Sequence, residues 1–169
     1  MSRGSKIAIR ESTEQDYGCL KAWFEERDNN IFFTSALRDI ADYKKIYFLM
    51  ALKDKKNVYY TITLENSHEP VGFVALINID HGDQFGQLWY VVGDGARRSK
   101  GIMTKALHLL LAKARSDLGL HSVFTWVVDD NIASIRVLEK CGFTRMGVQR
   151  EAYCYKGEYK DRILFDRLL

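Results

Sequence analysis

NIASIRVLEKCGF, residues 131–143, holds a short helix together with the signals that start and stop it. Asn131 is a residue type that begins helices, because its side-chain oxygen can accept an amide hydrogen from the first turn. Gly142 stands where a helix ends in the left-handed conformation, and Phe143 is placed for the apolar contact that follows such an ending. Immediately before it, SVFTWVV (122–128) is almost continuously apolar, the pattern of a strand buried on both faces. After it, residues 145–169 read as two strands around the turn KGEY (156–159).

Further upstream, Met103, Leu107, Leu110, Ala114 and Leu118 recur every three or four positions, and Gly119 follows them, so a helix spans 101–118. Before that helix come three short β-branched and aromatic runs, NVYYTITLE, VGFVALINID and QLWYVV, separated by NSHEP and HGDQFG. Such runs, joined by short turns, predict an antiparallel meander. Residues 36–53 read as a helical region. At the start, KIAIRES alternates as a half-buried strand does, and Tyr17, Leu20 and Phe24 follow at helical spacing. Ser12 stands three residues before Gln15, a capping-box spacing. The order is therefore β-α-α-β-β-β-α-β-α-β-β, an α/β chain with a mixed sheet.

Bulk properties narrow the function. With 169 residues, 47% hydrophobic and 28% charged, the chain has the composition of one ordinary globular domain, 1–169, and no linker or repeat divides it. A net charge of +3 with dispersed basic residues argues against nucleic acid but suits an anionic ligand. Cys19, Cys141 and Cys154 are far apart with no paired histidines, so reduced thiols and no metal site are expected. No apolar run reaches membrane-spanning length and MSRGSK lacks a signal-peptide core, which points to the cytoplasm and away from membranes.

RRSKGIMT (97–104) lies between the strand QLWYVV and the helix after it. The unpaired amides of a first helical turn, the helix dipole and Gly101, which adds no Cβ, make a place for phosphate. Arg97, Arg98 and Lys100 could add cationic donors. The spacing is neither that of a Walker A loop nor that of a dinucleotide fingerprint. Taken alone, the loop is as consistent with solvated cations ahead of an ordinary helix.

Together these stretches resemble a known family. RRSKGIMT is similar to the acetyl-CoA pyrophosphate loop (Arg/Gln-x-x-Gly-x-Gly/Ala) of the GCN5-related N-acetyltransferases (GNAT), with Arg98, Gly101 and Met103 at its three places. NIASIRVLEKCGF resembles the Asn-x-x-Ser-x-x-x-x-Glu-Lys-x-Gly-Phe signature of the RimJ/RimL-type branch, which acetylates ribosomal-protein N-termini. IAIRESTEQD resembles that branch's first strand and turn. The resemblance covers nearly the whole chain. It departs from the family at Ser99 and Met103, where glycine or alanine is common, and at Gln87 and Leu88, where the branch commonly carries an acidic residue.

The resemblance implies a GNAT-like, mostly antiparallel sheet of about seven strands flanked by about four helices. It also implies acetyl transfer from acetyl-CoA, as co-substrate, to a primary amine: a protein N-terminus, or a small amine such as an amino sugar or amino acid. Arg98, Ser99, Lys100, Gly101, Ile102 and Met103 would hold the pyrophosphate through their amides. Val91, Val92 and Gly93 would pair with the pantetheine arm where strand four splays from strand five. Asn131 would hydrogen-bond that arm or a bound water as well as capping its helix, and Ser134 would assist the leaving thiolate, its ordinary alternative being a simple first-turn helix serine.

The general base is open among Glu151, Tyr153, Tyr155, Asp80, His81 and a water relay. Cys141 and Cys154 lack a neighbouring histidine and are not expected to carry an acyl group. Tyr153, Tyr155 and Tyr159 suit either an acceptor pocket or plain sheet packing. Trp23, Trp89 and Trp126 read as core, and Asp161 as structural. The alternative class is a non-catalytic acyl-CoA-binding module, motivated by Gln87. The expected assembly is a monomer or homodimer.

Overall fold

The computed structural model describes residues 6–26, 29, 31–32, 45–93, 95–98 and 100–169. Seven strands form one sheet in the order β1-β2-β3-β4-β5-β7-β6. They are β1 (Ile7–Glu11), β2 (Val58–Leu64), β3 (Pro70–Asp80), β4 (Phe85–Val92), β5 (Ser122–Val128), β6 (Thr144–Tyr155) and β7 (Glu158–Leu168). The helices are α1 (Tyr17–Glu25), α2 (Lys45–Lys53), α3 (Ile102–Ser116) and α4 (Ile132–Lys140). Element order and sheet class are those expected. Of the helical region read over 36–53, residues 36–44 lie outside the described residues and the remainder is α2.

Every neighbouring pair of strands is antiparallel except β4–β5, which α3 joins as a crossover. Periodicity puts Ile102, Met103, Ala106, Leu107, Leu110, Leu111 and Ala114 on the buried side of α3. They pack on one sheet face with Ile62, Val74, Leu76, Leu88, Val123 and Phe165. At about 1.5–3 kcal/mol for each large apolar side chain removed from water, this stripe anchors α3 far more firmly than its ends could. On the opposite face, Leu20 and Phe24 of α1 and Phe48 of α2 cover Phe73 and Val91, with Trp23 and Trp89 packed against them.

Helix ends follow local chemistry, with one shift. The capping box sits at Thr13–Asp16, one residue later than Ser12–Gln15. Asp16 accepts from the Thr13 amide at 2.8 Å, and Arg10 of β1 holds the same carboxylate at 2.7 and 2.8 Å. Ser12 instead lies 2.9 Å from the Thr61 hydroxyl of β2. The choice is made by β1–β2 pairing, which spacing alone does not reveal. At the end of α4, Gly142 is left-handed (φ 75°), its amide bonds Glu139 O at 3.0 Å and the Phe143 amide bonds Leu138 O at 3.0 Å, with Phe143 buried.

Two expectations are corrected here. SVFTWVV is not buried on both faces: Val123, Thr125 and Val127 are buried, whereas Phe124 and Trp126 are half-buried. The three tryptophans are likewise half-buried rather than central, and Trp89 and Trp126 face a cleft. Asp161 is structural, as read. Its carboxylate accepts the Glu151 amide at 2.8 Å and holds a bulge in β6 where the ladder shifts between Gln149 and Tyr153 and Glu151 takes φ 51°.

Candidate active site

β4 and β5 pair only at their start, Phe85–Gln87 with Ser122–Phe124. Beyond this the strands diverge. Leu88 O is met by the Thr125 hydroxyl at 3.0 Å instead of by a ladder amide. The wedge between them opens into a cleft of about 470 Å³, a size suited to a small-molecule arm.

Backbone alternation decides which groups face the wedge. The Gly93 amide donates to Val71 O at 2.9 Å, so Gly93 faces β3, and so does Val91, two residues back. The wedge therefore receives the backbone groups of Leu88, Tyr90 and Val92. This corrects the expectation for Val91 and Gly93: Val91 lines the cleft only with its side chain, and the glycine serves packing. A Cβ on Gly93 would come within 2.2 Å of the Trp23 ring.

The cleft passes through the sheet. On the α3/α4 side its walls are Tyr90, Val92, Met103, Asn131, Ser134 and Val137; on the other they include Gln87, Trp89, Trp126 and Arg162. Side chains alternate along a strand, so Tyr90 and Val92 share the α3 core with Leu88 while Trp89 and Val91 belong to the α1/α2 core.

At the phosphate-loop position, α3 begins at Gly101 (φ 73°, ψ 8°) with no side-chain cap. Among the described residues, its chain neighbours aside, nothing lies within 4 Å of the place a Cβ would occupy. The first-turn amides of this fifteen-residue helix receive no side-chain cap from the described residues, which leaves them as donors of the kind a pyrophosphate can use. Arg98 and Met103, on either side of Gly101, line the cleft. Lys100 is exposed, Ile102 buries its side chain in the core and Ser99 lies outside the described residues.

The loop arginines are engaged by the protein. Arg97 donates to Glu69 at 2.7 Å, and Arg98 donates to the Asn29 side chain at 2.9 Å and faces Glu26 at 3.6 Å. These partners fix where the guanidiniums sit, and they engage the side chains rather than the backbone amide expected of Arg98.

Asn131 caps α4, its Oδ1 accepting the Ser134 amide at 3.2 Å. The Ser134 carbonyl accepts a long bond, 3.4 Å, from the Tyr90 hydroxyl. Burial pushes the Tyr90 phenol well above its ordinary value, so it stays protonated through neutral pH. Tyr90 was not singled out from the sequence, although its alternation with Trp89 in QLWYVV was a usable signal.

The candidate bases are not brought to the cleft. Asp80 accepts the Gly82 and Asp83 amides at 2.8 and 2.9 Å, which hold its carboxyl below the ordinary range, and with His81 it forms an exposed turn. Tyr153 donates to Ile31 O, Tyr159 is exposed, and Glu151 sits with Arg150 and Asp161 in a separate shallow depression. Among the described residues lining the cleft there is no carboxylate and no imidazole. Cys141 is buried, its thiol pushed up by that burial, and Cys154 is exposed; neither lines the cleft.

Comparison with known proteins agrees with this geometry. A curated relative, the probable N-acetyltransferase YjcK of Bacillus subtilis (strain 168), is 32% identical over 111 residues. The match covers 65% of this chain and 61% of the relative, so it spans about three fifths of that protein's length. Among solved structures, a Vibrio cholerae spermidine N-acetyltransferase SpeG chimera with hSSAT superposes with TM-score 0.86 at 17% identity, covering 97% of this chain and 96% of that one. The ribosomal-protein-S5-alanine acetyltransferase of Vibrio fischeri superposes with TM-score 0.79 at 19% identity, covering 96% and 92%. At these identities the likeness is one of fold. The family profile for the acetyltransferase (GNAT) domain runs through residues 6–144, from β1 to the first residue of β6, and so includes the wedge and both helix N-termini. That stretch is most of the chain, and the protein belongs to the GNAT acetyltransferase family.

Proposed function

We propose that the protein transfers an acetyl group from acetyl-CoA, the co-substrate of its family, to a primary amine by direct attack in a ternary complex. The observation that carries this reading is the β4–β5 wedge, with an uncapped α3 N-terminus beside it. The residues present fit the co-substrate. First-turn amides after Gly101, with Lys100 nearby, suit a pyrophosphate. The wedge-facing backbone of Tyr90 and Val92, which has no ladder partner on β5, suits an amide-bearing arm. Bound there, the thioester supplies an activated acyl group.

In this reading the Val92 or Tyr90 amide polarises the acyl oxygen. Ser134, placed by the Asn131 cap, hydrogen-bonds the departing sulfur, and Asn131 turns its remaining amide donors to the arm. The amine enters from the Trp89–Trp126 face and loses its proton to water, because none of the described lining residues is an ordinary base. Direct attack follows from the lack of a thiol in the described cleft on which an acyl group could be parked.

Asn131, Ser134 and the run Glu139–Phe143 support assignment to the RimJ/RimL-type branch. A protein N-terminus or a small amine remains the acceptor class. A cytoplasmic, single-domain monomer or homodimer completes the proposal. No helix among the described residues is long and apolar enough to cross a membrane.

The lack of a base favours a second reading, a non-catalytic acyl-CoA-binding module. Calorimetric titration with acetyl-CoA, using ATP and NAD as controls, tests what the two readings share. Release of free thiol in the presence of amines separates them. Selective binding with turnover is expected; binding without turnover of any amine would leave the module, and no binding with amines present would end both.

A further inference from the structure

We infer that Arg162 makes the acceptor side of the cleft selective for amines that carry an anionic group, a carboxylate or a phosphate, close to the reacting nitrogen. This deepens the acetyltransferase reading and rests on it.

The register places Arg162 opposite Val128 and two residues along β7 from Leu164, which pairs with Trp126. Directly paired and alternate residues share a sheet face, so Arg162 and Trp126 project together on the face away from α3. There the Arg162 guanidinium stacks 4.0 Å from the centre of the Trp126 ring, and both line the cleft. Arg162 is half-buried; among the described residues its Nε is buried without a hydrogen-bond partner, and no ion pair to the guanidinium is found. A buried N–H left unsatisfied is destabilising, more so when the group is charged, so a ligand that satisfies it recovers that energy on binding.

Among the described residues the surroundings supply no anion in its place. No described cleft-lining residue is acidic. The adjacent Asp161 accepts the Glu151 amide, and Asp130 is taken by Lys160. Burial pulls the guanidinium below its ordinary value, only partly opposed by the Tyr153 phenol, which agrees with a cation that lacks a carboxylate partner among the described residues. A planar guanidinium braced on an indole can grip a carboxylate or phosphate by two parallel bonds and repels a polyamine. Arg162 lies beyond the residues that match the family profile, so the feature is read from this chain alone.

The test uses acceptor pairs that differ only in the anion: L-amino acids against their amides, and aminoalkyl phosphates against the parent amino alcohols, with spermidine as the polycation. Thiol release is expected to favour one anionic class over its neutral twin by about tenfold or more in kcat/KM. Which pair shows the preference identifies carboxylate or phosphate. Arg162→Met should abolish the preference by raising KM for the anionic acceptor about tenfold more than for its neutral twin, and Arg162→Lys should restore part of it. Acetyl-CoA affinity, measured by calorimetry on all three proteins, should not change.

Equal use of the twins, better use of spermidine, or equal losses for both twins in Arg162→Met would overturn the inference while leaving the transferase intact. Failure to bind acetyl-CoA would instead overturn the transferase reading. If no acceptor turns over, quenching of tryptophan fluorescence by acetate or inorganic phosphate is read on wild type against Arg162→Met. An equal response in the two would also overturn the inference.

Discussion

The two helices that flank the cleft begin in opposite ways. The chain itself closes the start of α4, where Asn131 accepts the Ser134 amide. Among the described residues no side chain closes the start of α3: Gly101 has none to offer, and its chain neighbours aside nothing lies within 4 Å of where a Cβ would stand. A missing cap forgoes about 1 kcal/mol, which α3 can sustain because seven of its residues are buried. Nine-residue α4 buries only Ile135 and Leu138 and depends more on its ends. A well-anchored helix can thus leave its N-terminus to a ligand, whereas a weakly anchored one cannot.

Filling the α3 terminus should break this contrast with the largest effect. Gly101→Asp places an anion where a pyrophosphate would sit, at a left-handed position that Asp tolerates. Acetyl-CoA affinity should fall by about 100-fold, roughly 2.7 kcal/mol, in a calorimetric titration, while Tm moves by only a few degrees. Unchanged affinity would show that the α3 N-terminus is not the phosphate site.

Removing the cap of α4 should act on stability first. Asn131→Ala is expected to cost about 1 kcal/mol, or about 2–4 °C in Tm for a domain of this size. Asn131→Asp should recover that loss, because either side chain accepts the Ser134 amide. If Asn131 also donates to the substrate arm, the Asp variant recovers Tm but not kcat/KM. Recovery of both would reduce Asn131 to a cap.

The smallest effect concerns Tyr90, which ties β4 to the first turn of α4. Tyr90→Phe removes only a 3.4 Å bond and should cost about 0.5 kcal/mol by denaturant titration. Its pH signature is sharper. Burial raises the native phenol above its ordinary value of 10.0, so the unfolded chain loses its proton first and stability falls as pH rises past that value. The alkaline loss should be smaller in Tyr90→Phe; an unchanged loss would mean that other groups account for it.

Most of the fold was legible because its signals are local. The helix over 131–143, the meander and the final hairpin each declare themselves by period, turn residue or cap, and the structure has them in that order. Misreadings arose where a distant strand decided. The capping box slipped by one residue because Thr61 engages Ser12. SVFTWVV reads as doubly buried because Phe124 and Trp126 are apolar whether they face a core or a cleft. Beside the cleft, Asn131 and Gly101 were legible as helix-start residues, and Ser134 entered only through the family resemblance. Val91 and Gly93 were assigned without knowing which side of β4 bonds β3, and Tyr90 and Arg162 carry no local signal of what they face.

By itself, then, the sequence determined the elements, their order and the two helix starts beside the cleft, because propensity, periodicity and capping act within a few residues. The tertiary structure alone decided that β4 and β5 part after Gln87, which backbone groups face the gap, and that a half-buried arginine stacked on Trp126 looks into it from the far face. Those outcomes depend on pairing and burial between residues far apart in the chain, and no local pattern encodes them.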